Sequence, residues 1–284
     1  MIALDALTVR IGGRDLLRNL RARIAPGEFV AVVGPNGVGK TTLLRTIAGL
    51  HPISSGAVLV MGSDLRALSV RERATRAAFV TAEETVFEHL AVREVVAMGR
   101  LAHAKWWRWT RNPNDEAAID TAIASVGMRD MADRDVATLS AGERQRAWIA
   151  LGLAQETPIL LLDEPTSHLD VRVAQEILQL LVRLARGGKT ILCALHDLNE
   201  ASAYADRIAL LSERQLLAIA TPQRLLGTEL IERAYGIALD RINLADGTPR
   251  VFARPRRHRA GAVEERAPVQ TKVDPGIFKS YDVR

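Results

Sequence analysis

Four stretches of the chain are apolar at nearly every position: 28–33, 78–81, 158–162 and 189–195. Unbroken apolar runs of this length suit strands covered on both faces, so they predict the strands of a parallel core sheet. Strands near 2–11 and 15–24 are expected to form a separate antiparallel layer. Helical patterns fall near 40–49, 141–155 and 171–186; in the last, Ala174, Ile177, Leu178, Leu181 and Leu184 make one apolar stripe. Between about 86 and 135 the strand signal stops and helical patterns take over. No internal repeat is present. The alternation predicts an α/β fold with helices covering the core sheet.

The turn between the first core strand and the helix that follows carries the most chemistry. It reads Gly34-Pro35-Asn36-Gly37-Val38-Gly39-Lys40-Thr41, with Thr42 opening the helix proper. Glycines let the backbone curl until successive N–H groups point at phosphate oxygens, and the helix dipole adds to that field. Lys40 is expected to reach the outer phosphates, and the Thr41 hydroxyl to help hold a magnesium ion. The strand at 158–162 runs into Asp163 and Glu164. Asp163 is placed to hold magnesium, and Glu164 to polarise a water attacking the γ-phosphate. Ser140 and Glu143 stand three apart at the start of a helix, which by itself predicts only a capping box. The run Ser167-His168-Leu169-Asp170 follows, and His196-Asp197 comes after the last core strand.

Five motifs in this order resemble the ATP-binding subunit of an ABC transporter over about residues 1–240. They are the phosphate loop, the Leu139–Glu143 signature, the strand ending at Asp163 and Glu164, the loop to Asp170, and His196. The resemblance implies a P-loop NTPase with a parallel core sheet, an antiparallel β layer and an inserted helical subdomain that meets a membrane partner. It implies ATP and magnesium as cofactors, Glu164 and His196 as catalytic residues, and Thr41 and Asp163 as metal ligands. It also implies an ATP-dependent head-to-tail homodimer. In it, Ser140, Gly142 and the signature helix of one copy meet the phosphate held by residues 34–42 of the other, and Asp170 helps join the two sites. Transmembrane permease subunits and a substrate-binding protein are the implied partners, and the cytoplasmic face of the inner membrane the implied location. The Ser167–Asp170 sequence, the segment Val92–Arg100 and the single ATPase domain look most like importers of ferric siderophores, haem or cobalamin. Another importer class, an exporter, and a non-transport ATPase acting on nucleic acid are the alternatives.

Three positions depart from the family pattern. Ile11 stands where an aromatic usually stacks on adenine, and Ala141 where the signature usually has glycine. Ala82 stands where a glutamine usually touches magnesium and couples to the permease; Glu83 or Glu84 is a candidate substitute.

Composition locates what remains. The 284 residues contain no run near the roughly 18–20 apolar residues of a membrane span. The start shows no signal-peptide pattern, and the lone Cys193 sits in an apolar strand pattern, which predicts a buried thiol in a reducing compartment. From Arg250 onward there are nine Lys or Arg against four Asp or Glu, which accounts for the whole net charge of +5. Residues 241–284 are therefore expected to be a basic extension, largely disordered from about 253. A solvated tail, contact with an anionic membrane surface, and contact with nucleic acid are its three readings. Trp106, Trp107 and Trp109 lie together in the helical insert, suited to packing on neighbouring helices, to a bilayer surface or to a partner.

Overall fold

Phe29–Val33 forms a strand buried at all five positions. Its side chains divide between the sheet's two faces: Phe29, Ala31 and Val33 join one hydrophobic cluster, and Val30 and Val32 join the other. This two-sided burial explains its continuous apolar run. The structure is a computed structural model, describing residues 1–81, 89–103 and 113–254.

In chain order, β1 (Ile2–Ile11), β2 (Arg14–Ile24) and β3 (Phe29–Val33) precede α1 (Lys40–Ile47). Then come β4 (Ser55–Val60), β5 (Ser63–Asp64), α2 (Val70–Ala74) and β6 (Ala77–Thr81). The helical segment holds α3 (Val92–Ala97), α4 (Pro113–Ser125) and α5 (Ala141–Ala154). After it follow β7 (Ile159–Asp163), α6 (Val171–Arg186), β8 (Thr190–Ala194) and α7 (Leu198–Tyr204). The remainder is β9 (Arg207–Ser212), β10 (Gln215–Ala220), α8 (Pro222–Leu226), α9 (Leu230–Tyr235), β11 (Leu239–Asn243) and β12 (Pro249–Ala253).

The core sheet has the order β10-β9-β3-β8-β7-β6, parallel except for β10, which pairs antiparallel with β9 at one edge. A second sheet, β2-β1-β4-β5, is antiparallel. It packs with α1 and the Val30/Val32 face of β3. The other face packs α3 to α9 against Phe29, Ala31 and Val33. On α6 the buried stripe is Ala174, Ile177, Leu178, Leu180, Leu181 and Ala185. Leu184, expected within the stripe, is only half-buried at its margin. Helix α1 stops at Ile47, short of the expected 49, and Gly49 turns the chain at φ 78°.

A buried ion-pair network closes the helical segment. Arg100, 8% exposed, bonds Asp115 at 2.9 Å, Glu156 at 2.6 Å and the Ala154 carbonyl at 2.7 Å. It thereby ties the start of α4 to the end of α5, where a cation also faces the negative end of the helix dipole.

One compact unit runs from Met1 to Ala253, past the boundary expected near residue 240. The reason is the hairpin β11–β12. Ser202 on α7 donates to the Pro249 carbonyl at 2.6 Å, and the Asn199 amide exchanges bonds with Val251 at 3.0 and 2.9 Å. Ala82, Glu83 and Glu84, the three tryptophans at 106, 107 and 109, and the tail beyond Arg254 lie outside the described residues.

Candidate nucleotide site

β3, β8 and β7 lie side by side and parallel, so the loops leaving their carboxyl ends share one edge of the sheet. That edge is where open α/β sheets bind ligands. The three loops carry Gly34–Gly39, His196 and Glu164.

The backbone of the first loop is fixed by glycines at positions no side chain would fit. Gly34 has φ 152°, and a Cβ there would stand 2.3 Å from the Leu211 carbonyl oxygen. Gly39, the residue before α1, has φ 110°, and its Cβ would meet Leu17 Cδ2 at 2.7 Å. Gly37, at φ 73°, is also left-handed. Pro35 is half-buried, Asn36 exposed and Val38 buried, the last donating its N–H to the Pro35 carbonyl at 3.3 Å. Lys40 is 5% exposed, and its ammonium donates to the Gly34 carbonyl at 3.0 Å, folded over its own loop. Burial holds its pKa below the ordinary lysine value despite the nearby Glu164 and Asp163.

Thr41 Oγ1 and Asp163 Oδ1 are 3.1 Å apart. Asp163 is buried, and that burial raises its pKa; the Thr41 bond opposes the rise and the Glu164 charge adds to it. Two adjacent hard oxygens fit part of the donor set of a magnesium ion. Thr42 is half-buried and its carbonyl accepts from Thr46 Oγ1 at 2.7 Å, a helix contact rather than a site contact.

Glu164 sits at φ 54°, a left-handed conformation uncommon for a residue with a side chain. Its N–H donates to the Ala194 carbonyl at 3.2 Å, and its Oε2 stands 2.6 Å from His196 Nε2. Sequence placed these two residues on different strands 32 positions apart; pairing of β7 with β8 brings them into contact. Among the described residues Glu164 Oε1 has no partner, so it is free to take a proton from water. Two neighbours carried no sequence signal of their own. Thr166 Oγ1 donates to Glu200 Oε2 at 3.1 Å, and burial raises the Glu200 pKa.

Ser140, Gly142 and Asp170 make no bond to the phosphate loop of the same chain among the described residues. Ser140 caps α5: its Oγ accepts from the Glu143 N–H at 3.3 Å and donates to Glu143 Oε2 at 2.8 Å. The Ser140 N–H also donates to Glu143 Oε2 at 2.8 Å, and that backbone bond, followed by the hydroxyl's, lowers the Glu143 pKa. Gly142 is buried against α6, where a Cβ would meet Val173 Cγ1 at 2.5 Å. Asp170 caps α6 through the Val173 N–H at 3.0 Å, and His168 is exposed at φ 62°. Ile11 is 39% exposed at the end of β1, and Cys193 is buried and unpaired.

The family model described as ABC transporter matches residues 17–167, more than half of the chain. The chain belongs to the ABC transporter family. As a cassette of this family it binds and hydrolyses ATP. It is 41% identical over 235 residues to the ferric enterobactin transport ATP-binding protein FepC of Escherichia coli K12, covering 82% of this chain and 86% of that one. It is 38% identical over 268 residues to the hemin import ATP-binding protein HmuV of Streptomyces coelicolor, covering 94% and 91%. Among solved structures, a bacterial ABC transporter cassette in dimeric form aligns with TM-score 0.68 and 28% identity, over 78% of this chain and 99% of that one. A metal-chelate type ABC transporter in an inward-facing conformation shares the fold at TM-score 0.78 and 23% identity, over 90% and 98%.

Proposed function

We propose that this cassette energises import of a metal chelate, a ferric siderophore, haem or cobalamin, through separate permease subunits fed by a substrate-binding protein. The names of its relatives support that cargo class. None of its described helices is long and apolar enough to cross a membrane. The cassette itself works at the cytoplasmic face of the inner membrane.

The observation that carries the hydrolytic mechanism is the Glu164–His196 contact beside the Thr41–Asp163 pair. The backbone N–H groups of residues 34–42 and the start of α1 receive the phosphates, and Lys40 leaves the Gly34 carbonyl to join them. Thr41 and Asp163 would hold magnesium, and a bound magnesium would neutralise phosphate charge. Glu164 accepts a proton from the attacking water while His196 fixes the carboxylate and reaches towards the γ-phosphate. Ser140, Gly142 and Asp170 make no bond to the phosphate loop of their own chain among the described residues, which supports the head-to-tail dimer in which they act on the second copy's nucleotide.

Reconstitution with its permease subunits tests the cargo. ATP-dependent uptake into liposomes of one of the three chelate classes is expected, lost with Glu164→Gln. Stimulated phosphate release without uptake of any of them would reject the assignment.

A further inference from the structure

Asp163 and Ala194 are the last registered pair of β7 and β8; beyond them the strands run out into the loops that carry Glu164 and His196. Sheet pairing no longer sets the spacing there. Other bonds take over: the Glu164 N–H to the Ala194 carbonyl at 3.2 Å, and Glu164 Oε2 to His196 Nε2 at 2.6 Å. Further along both loops, Thr166 Oγ1 donates to Glu200 Oε2 at 3.1 Å.

Thr166 and Glu164 belong to one turn. The Ser167 N–H donates to the Glu164 carbonyl at 3.1 Å, and buried Pro165 holds the second position, where its ring fixes φ. A shift of Thr166 is therefore passed to Glu164 through a short, stiff segment. On the other side, Glu200 is the third residue of α7, the helix that begins just after His196. Asp197 caps that helix through the Asn199 N–H at 2.6 Å, which fixes the turn on which Glu200 stands.

Glu200 forgoes a local bond for this distant one. The third residue of α2, α3 and α5 is also a glutamate, and each turns back to the N–H of the residue before its helix. Glu72 accepts from Ser69 at 2.7 Å, Glu94 from Ala91 at 2.8 Å, and Glu143 from Ser140 at 2.8 Å. Glu200 turns to Thr166 instead, half-buried and without a cation partner among the described residues. Burial raises its pKa, and the Thr166 bond opposes that rise. A carboxylate held in so unfavourable a place, with no ion pair to support it, is accounted for by the tie it makes.

We infer that Glu200 is a positioning residue of the hydrolytic site: by accepting the Thr166 hydroxyl it braces the turn of Glu164 against the first turn of α7. The brace keeps Glu164 and His196 in register with each other and with the attacking water. This rests on the roles proposed above for those two residues.

The test compares Thr166→Val, which keeps the side-chain shape and removes the hydroxyl, with Thr166→Ser, and Glu200→Ala with Glu200→Gln, all in the full chain. Phosphate release is measured per nucleotide-binding site, with sites counted by fluorescent ADP. In Thr166→Val and Glu200→Ala, kcat is expected to fall about ten- to hundredfold. KM, and affinity for a non-hydrolysable ATP analogue, should stay within threefold, because Lys40, Thr41 and the loop backbone are untouched. Thr166→Ser and Glu200→Gln keep donor and acceptor and should recover most of the rate. The double variant Thr166→Val with Glu200→Ala should fall little further than either single one. In a Glu164→Gln background, Thr166→Val should cost less than twofold in single-turnover rate, since the base it positions is gone; a merely structural role would cost the full factor again. Should Glu200→Ala not fold, Thr166→Val carries the test alone. Its kcat per site within twofold of wild type, an equal loss in Thr166→Ser, or an equal further loss in the Glu164→Gln background overturns the brace and leaves the roles of Glu164 and His196 standing. Glu164→Gln with wild-type turnover overturns those roles and the brace together.

Discussion

Replacing Glu164 by Gln changes one charge and almost no volume. In the structure one carboxylate oxygen is bound to His196 at 2.6 Å, while the side chain stays 30% exposed towards the loop edge. The glutamine carbonyl can keep the His196 contact, which then turns the amide NH2 to the position where water is deprotonated. With the geometry kept and the base gone, the loss is that of general-base catalysis, roughly 10²- to 10⁴-fold. At about 1.4 kcal/mol per decade this is on the order of 3–5 kcal/mol of barrier. ATP affinity should change little, because Lys40, Thr41 and the loop backbone are untouched. The slow variant should therefore accumulate a nucleotide-bound dimer. Phosphate release gives the rate, and size-exclusion chromatography with light scattering in magnesium and ATP gives the mass. Turnover within threefold of wild type, with a monomer at saturating ATP, would refute the role assigned to Glu164.

Arg100→Met should lower stability by about 3–5 kcal/mol, because it removes the buried cation that ties Asp115, Glu156 and the Ala154 carbonyl together. For a domain of this size that is a fall on the order of 10 °C in melting midpoint by calorimetry, and a change under 2 °C would contradict it. Asp163→Asn should raise the melting midpoint at neutral pH while abolishing turnover. The folded carboxyl has a raised pKa, so ionising it costs stability above its unfolded pKa, and that cost disappears as pH falls through the raised range. The gain should accordingly shrink in melts taken at progressively lower pH, and a gain that grows towards acid would reverse the sign of the argument.

The phosphate loop was legible because its chemistry is local: glycine spacing, a lysine and a threonine between an apolar run and a helix. Asp163 and Glu164 were legible for the same reason. The contact of Glu164 with His196 was not, since only strand pairing creates it. β9, with its run Ile208 to Leu211, carries the same apolar signal as the other core strands and could have been found. The hairpin β11–β12 could not, because four of the five positions of β11 are exposed and its attachment runs through Asn199 and Ser202. Arg100 looked like one residue of a family segment, and only the packing of α4 on α5 shows it as the buried tie between them.

The place of β3 in the sheet has a consequence for how the protein is made. The strand that leads into the phosphate loop is the first of the core sheet to be synthesised, yet its neighbours, β8 and β9, are the fourth and fifth of the six. At roughly 5–20 residues per second, the ribosome takes about eight to thirty seconds to go from β3 to β8. Throughout that interval Phe29–Val33 has no strand to pair with, and five consecutive apolar residues with open backbone edges invite capture by a chaperone or by another nascent chain. The cassette's vulnerable period thus lies in translation, and slow codons between β3 and β8 would lengthen it.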